Sequence, residues 1–126
     1  PDNEIRRVVL CSGKVYYDLL EDREKRGLND VYLLRIEQLY PFPAKAVLDE
    51  LNRFKNAEIV WCQEEPKNMG YWAFIQPYVE WVLDQMGRTN QRVRYVGRPA
   101  SASTATGLMR THLAQLAAFL EEAFSK

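Results

Sequence analysis

The chain has 126 residues, with 17 basic and 17 acidic side chains, a single histidine and a formal net charge of zero. That length makes one domain able to bury roughly two-thirds of its unfolded surface, so stability requires neither a metal nor a disulfide. The balanced charge lacks the electrostatic footprint of a nucleic-acid binder, and no apolar run approaches the roughly 18 residues of a membrane span or follows a basic start as a secretory signal would.

The chain opens at Pro1-Asp2-Asn3-Glu4 without an initiator methionine and enters a strand within a few residues, which reads as a piece of a longer protein. Arg7-Val8-Val9-Leu10-Cys11 is a short apolar run ending at Ser12-Gly13. From Lys14 to Arg26 the helical spacing of Val15, Leu19 and Leu20 predicts a helix that stops at Gly27, with Glu21 and Lys25 as an exposed supporting pair. Val31 to Ile36 has the near-continuous apolar character of a strand covered on both faces. After the loop Glu37 to Pro43, a helix from Ala44 to Phe54 carries Val47, Leu48 and Leu51, with Pro43 suited to its first position.

Glu58 to Cys62 forms a third strand, and the polar run Gln63 to Gly70 follows it. Met69 to Met86 is apolar on more than one face and contains Pro77, which predicts a helix kinked or restarted there. Val93 to Val96 is a fourth strand ending at Gly97, and Thr106 to Phe124 is the last helix, with Leu108, Leu113, Leu116 and Leu120 as its core stripe. Four strands alternating with four helices predict a single α/β domain over residues 1–126, a three-layer α/β/α sandwich with a mainly parallel sheet.

In such sheets ligands and partners meet the carboxyl ends of the strands. The loop Trp61 to Gly70 therefore stands out, with Glu64, Glu65 and Asn68 as interface or effector contacts. Glu64 and Glu65 equally suit a plain electrostatic role at the positive end of the following helix, about 0.3–1 kcal/mol each. The small-residue loop Gly97 to Gly107 has the same placement, and Arg98, Ser101 and Ser103 join the contact set; tight packing and helix capping are its plainer reading. Tyr40-Pro41-Phe42-Pro43, Tyr71 and Trp72 together predict an apolar surface awaiting a partner.

Ser12-Gly13-Lys14 has the glycine and lysine of a phosphate loop but neither the earlier glycine nor a hydroxyl after the lysine, since Val15 stands there. Cys11 and Cys62, each at a strand end, read as buried inert thiols of a reducing compartment, and His112 reads as a surface or interface residue. A His/Cys metal site is not predicted.

Taken together, Val8 to Tyr17, Arg35 to Pro43, Trp61 to Gly70 and Tyr95 to Gly107 resemble the decarboxylase component of the 2-oxoglutarate dehydrogenase complex, over nearly the whole chain. Thr104 departs from the proline usual in that family, and the stretch between Gly70 and Arg92 is less similar than its flanks. The resemblance implies the transketolase-type C-terminal domain of a thiamine-diphosphate enzyme, preceded by an antiparallel strand whose absence would leave one sheet edge bare. It further implies a parent, cytoplasmic in bacteria or in the mitochondrial matrix of eukaryotes, that decarboxylates 2-oxoglutarate with thiamine diphosphate and Mg2+. Its partners would be a second copy, the preceding catalytic domains and dihydrolipoamide succinyltransferase. Cofactor ligands and catalytic residues would lie outside this chain, leaving it dimerisation, support and effector binding and no activity alone. The rival reading is a free-standing flavodoxin-like module binding an anion or nucleotide at the Ser12-Gly13-Lys14 and Arg98 loops.

Overall fold

A computed structural model of the chain describes residues 4–37, 42–54, 56–87, 92–99 and 109–125, with side chains in the last segment from 113 onward. In chain order the elements are β1 (Arg7–Cys11), α1 (Val15–Arg26), β2 (Val31–Arg35), α2 (Ala44–Leu51), β3 (Glu58–Gln63), α3 (Trp72–Gln85), β4 (Arg94–Gly97) and α4 (Met109–Phe124). The strands make one sheet in the order β2-β1-β3-β4, with every pairing parallel. The predicted α/β sandwich is therefore the fold observed.

Strand position explains strand composition. Central β1 is buried along its whole length, because both faces of a parallel sheet are covered by helices. Its residues alternate between two cores: Val8 and Leu10 with Ile59 and Trp61 pack under α2 and α3, whereas Val9 and Cys11 with Val60 and Cys62 pack under α1 and α4. Edge strands β2 and β4 are only partly buried. From β1 the chain moves one way to β2, then returns past β1 to β3 and β4, and a constant crossover hand puts α1 on one face and α2 and α3 on the other.

At the opposite end from the loops, two arginines hold the end of α4. Arg6 donates to the carbonyls of Phe124 at 2.7 Å and Ser125 at 3.0 Å, and Arg7 to that of Ala123 at 2.8 Å. These are carbonyls that a helix terminus leaves without intrahelical partners, at its negative end. Arg7 and Arg94 both donate to Glu58, each with its closest contact at 2.8 Å.

Three local expectations change. Helix α3 runs through Pro77 without restarting, because only the Ala73 carbonyl loses its intrahelical partner and buried Ile75, Val79, Val82 and Leu83 hold the segment together. Pro43 occupies the cap, its carbonyl accepting from Val47 N at 3.0 Å, and α2 ends at Leu51, earlier than Phe54. In α4 the buried stripe is Phe119, Ala123 and Phe124, with Leu116 and Leu120 at its margin and Leu113 exposed; Leu108 lies outside the described residues.

Candidate functional site

Loop by loop, the carboxyl ends of β1, β3 and β4 come together. Adjacent β1 and β3 send their connections in opposite directions across the sheet, to β2 and to β4, which opens the crevice where doubly wound sheets place ligands. Lys14 from the first loop meets Glu64 from the second, with Nζ to Oε1 at 3.6 Å. Asp18, on the first turn of α1, completes the cluster. Burial, and behind it the Glu64 carboxylate, raises its carboxyl above the usual range. Lys14 thus faces a carboxylate and does not offer the unopposed positive charge that a phosphate site needs.

The second loop is organised from within by Gln63, the last residue of β3 and only 3% exposed. Its Oε1 accepts from Trp61 Nε1 at 2.8 Å and from the backbone N–H of Trp72, at the start of α3, at 3.0 Å. Its Nε2 donates to the carbonyls of Glu65, Pro66 and Met69 at 3.1, 2.9 and 2.7 Å. One amide side chain therefore stitches the strand end, the loop and the helix start together. Gly70 closes the loop at φ +68°, where a Cβ would sit 3.1 Å from Gln63 Nε2. Sequence reasoning missed this residue, because a glutamine opening a polar loop carries no signal of burial.

Arg98 fastens the second loop to the third. It is 4% exposed, donates Nη1 to the Glu64 carbonyl, and sits 5.3 Å over the Phe119 ring. Its own carbonyl accepts from the Tyr95 hydroxyl at 2.6 Å and from Lys67 N at 3.1 Å. Of the predicted contact residues, Arg98 is thus an internal brace and Glu64 is half-buried against Lys14, while Glu65 and Asn68 lie on the exposed side of the loop. Ser101 and Ser103 lie outside the described residues.

Both thiols are buried, and burial pushes Cys11 up to about 12 and Cys62 further still, as inert core thiols require. Of the predicted apolar surface, Tyr71 is exposed, Trp72 is half-buried against Tyr95 and Phe42 stacks on Tyr78; Tyr40 and Pro41 lie outside the described residues. The His112 side chain does too. Among the described residues no group of three or more His, Cys, Asp or Glu side chains could hold a metal ion, and no helix is long and apolar enough to cross a membrane.

The family model described as 2-oxoglutarate dehydrogenase C-terminal matches residues 1–124. The chain belongs to this family. The 2-oxoglutarate dehydrogenase E1 component of Brucella anthropi is 75% identical over 122 residues, 97% of this chain and 12% of that protein. Those of Brucella ovis and Brucella canis match with the same identity and coverage. The chain thus spans about one-eighth of the length of these relatives. Among solved structures, a phosphate-loop protein studied in solution aligns over 97% of each chain at 16% identity with a TM-score of 0.45, a likeness too weak to add to the family assignment. Within the family, the braced loop pair falls on segments that carried the sequence resemblance, Trp61 to Gly70 and Tyr95 to Gly107.

Proposed function

We propose that the chain is the C-terminal domain of a thiamine-diphosphate-dependent 2-oxoglutarate dehydrogenase, which oxidatively decarboxylates 2-oxoglutarate and transfers the succinyl group to the lipoyl arm of dihydrolipoamide succinyltransferase. The observation that carries this reading is 75% identity across 97% of the chain to proteins bearing the E1 name. The described residues do not fit the diphosphate and Mg2+ group: they hold no metal-binding cluster, and the crevice carboxylate Glu64 is engaged by Lys14. In this reading the cofactor and the chemistry belong to other parts of the longer protein, and this domain supports them.

The domain's own work in this reading is dimerisation, structural support and effector binding through the loops after β3 and β4. Glu65 and Asn68, with Ser101 and Ser103, are the contacts we assign, while Glu64 and Arg98 hold the loop that carries the first two. The test is decarboxylation of 2-oxoglutarate, followed with an artificial electron acceptor, by the full-length protein and by residues 1–126 alone. Turnover by the first and none by the second is expected. A full-length protein that rejects 2-oxoglutarate, or a native protein no longer than this chain, refutes the reading.

A further inference from the structure

Helix α4 buries little of itself. Among its described side chains only Phe119, Ala123 and Phe124 are buried, all in its second half, and none from 113 to 118 is. Its last turn is held instead by arginines from the start of β1, the end of α1 and β4. Besides the Arg6 and Arg7 bonds to the carbonyls of Phe124, Ser125 and Ala123, Arg26 reaches the Glu121 carboxylate at 2.8 Å and lies 5.7 Å over the Phe124 ring, and Arg94 reaches Glu122 at 3.2 Å. Charged donors make the stronger hydrogen bonds, and here they meet the negative end of a helix. One turn back, Phe119 covers the Arg98 guanidinium, which donates to the Glu64 carbonyl, while the Arg98 carbonyl accepts from Lys67 N. A continuous set of contacts thus runs from the clasp at the amino ends of the strands, through α4, to the loop after β3 at their carboxyl ends.

We infer that α4 is a latch: it leaves the sheet as a unit while the sheet and its other helices stay folded, the arginine clasp is its catch, and its departure loosens the loop after β3 by uncovering Arg98. Undocking breaks no strand pairing, since every ladder lies between β2, β1, β3 and β4, and the core under α2 and α3 stays covered. Segments with few buried apolar contacts are the ones that open below the global stability. Ordinary fraying starts at a helix end with nothing to hold it, whereas the last turn of α4 is its most firmly held part, so release of the clasp is the step that frees it. Without the Phe119 ring, Arg98 stands open to water that competes for the Glu64 carbonyl. The loosening is selective, because Gln63 ties the same loop without help from α4: the Lys67 N–H, bonded to the Arg98 carbonyl, is released, and the Trp72 N–H, bonded to Gln63 Oε1, is not. This motion belongs to the fold and is independent of what the loops bind.

Amide hydrogen exchange in the full-length protein, resolved to single residues by mass spectrometry and repeated at several low urea concentrations, tests this. In the parent, amides of α4 from 113 to 124 should exchange through a smaller opening, with a weaker dependence on urea, than those of Val8 to Leu10 in β1. Arg6→Gln removes the charged donor to the Phe124 and Ser125 carbonyls, and should quicken α4 and the Lys67 N–H about tenfold while β1 and the Trp72 N–H keep their rates. Glu121→Gln, an exposed change that weakens only the Arg26 contact, should give the same pattern at about threefold and replaces Arg6→Gln if that variant does not fold. The latch is overturned if α4 and β1 share one opening in the parent, if α4 keeps its rate in the variants, or if β1 or the Trp72 N–H quickens by the same factor as α4. A quickened α4 beside an unchanged Lys67 N–H breaks the link to the loop and overturns the proposal as well.

Discussion

Replacing the buried amide of Gln63 should unfasten the loop after β3 without changing the strand it ends. In Gln63→Leu, a substitution of similar volume, five hydrogen bonds are lost together. Three of them reach part-buried groups that water can serve, but the Trp61 Nε1 contact and the Pro66 carbonyl contact are buried. Each buried group left without a partner costs about 1–3 kcal/mol, so the expected loss is about 2–6 kcal/mol. Against a typical domain stability of 5–15 kcal/mol and a urea slope of about 2 kcal/mol/M, the unfolding midpoint of the isolated domain should fall by about 1 M or more. Circular dichroism against urea reads this directly. Gln63→Glu separates hydrogen bonding from packing: it keeps an acceptor for Trp61 but turns a carboxylate towards three carbonyls. Its carboxyl should be held above the usual range, so its penalty is largest at neutral pH and shrinks as acid neutralises it. A leucine variant whose midpoint moves by less than about 0.3 M would refute the argument that Gln63 organises the loop.

Three further outcomes are expected. In Gly97→Ala the new Cβ would lie 2.6 Å from the Tyr95 hydroxyl and 2.7 Å from the Gln63 carbonyl oxygen, and overpacking of that kind costs about 1–3 kcal/mol. Adding Tyr95→Phe should recover only part of the lost melting temperature, because the backbone clash stays; full recovery would show that the hydroxyl alone fixes the glycine. Burial works to raise the Glu58 carboxyl, and hydrogen bonds from Arg94 and Arg7 outweigh it, leaving it below its ordinary 4.5. A depressed folded value stabilises above the unfolded one and loses that contribution as pH falls through the folded one. The stability advantage of the parent over Glu58→Gln should therefore be full above about pH 5 and shrink below 4.5, and a pH-independent difference between their urea midpoints contradicts it. With Cys11 raised by burial to about 12 from 9.0, the native domain should resist a chromogenic disulfide at pH 8 and react at both thiols once unfolded; prompt native labelling would place a thiol at the surface.

The order and kind of every element were legible in the sequence because each was written in one dominant period. Arg7 to Cys11 and Glu58 to Cys62 are unbroken apolar runs, and only strands covered on both faces can use them. Errors came where two signals competed. Leu113, Leu116 and Leu120 keep helical spacing in α4, yet Phe119, Ala123 and Phe124 take the buried side, next to the end that Arg6 and Arg7 clasp from the start of β1. Nothing local to α4 records that clasp, which joins residues about 118 apart. Pro77 shows the opposite: its local penalty does not divide α3 in two, because packing on the inner side holds the segment as one helix.

The candidate site shows the same division between local and distant causes, with a consequence for what its residues can do. In the sequence Glu64 and Arg98 stand out because charged groups at the carboxyl ends of parallel strands point to recognition. In the fold, the Arg98 guanidinium goes to the Glu64 carbonyl and the Glu64 carboxylate to Lys14, so these charges are used in binding one loop to another. The loop after β3, tied by Gln63 and Arg98, holds its outward residues in place and would lose little conformational freedom on meeting a partner, which is the condition for the recognition proposed for Glu65 and Asn68. In that proposal the inward residues act on recognition through position. Loss of Arg98 should show first as a looser loop, with Lys67 N released from the Arg98 carbonyl, and only through that as weaker contact with a partner.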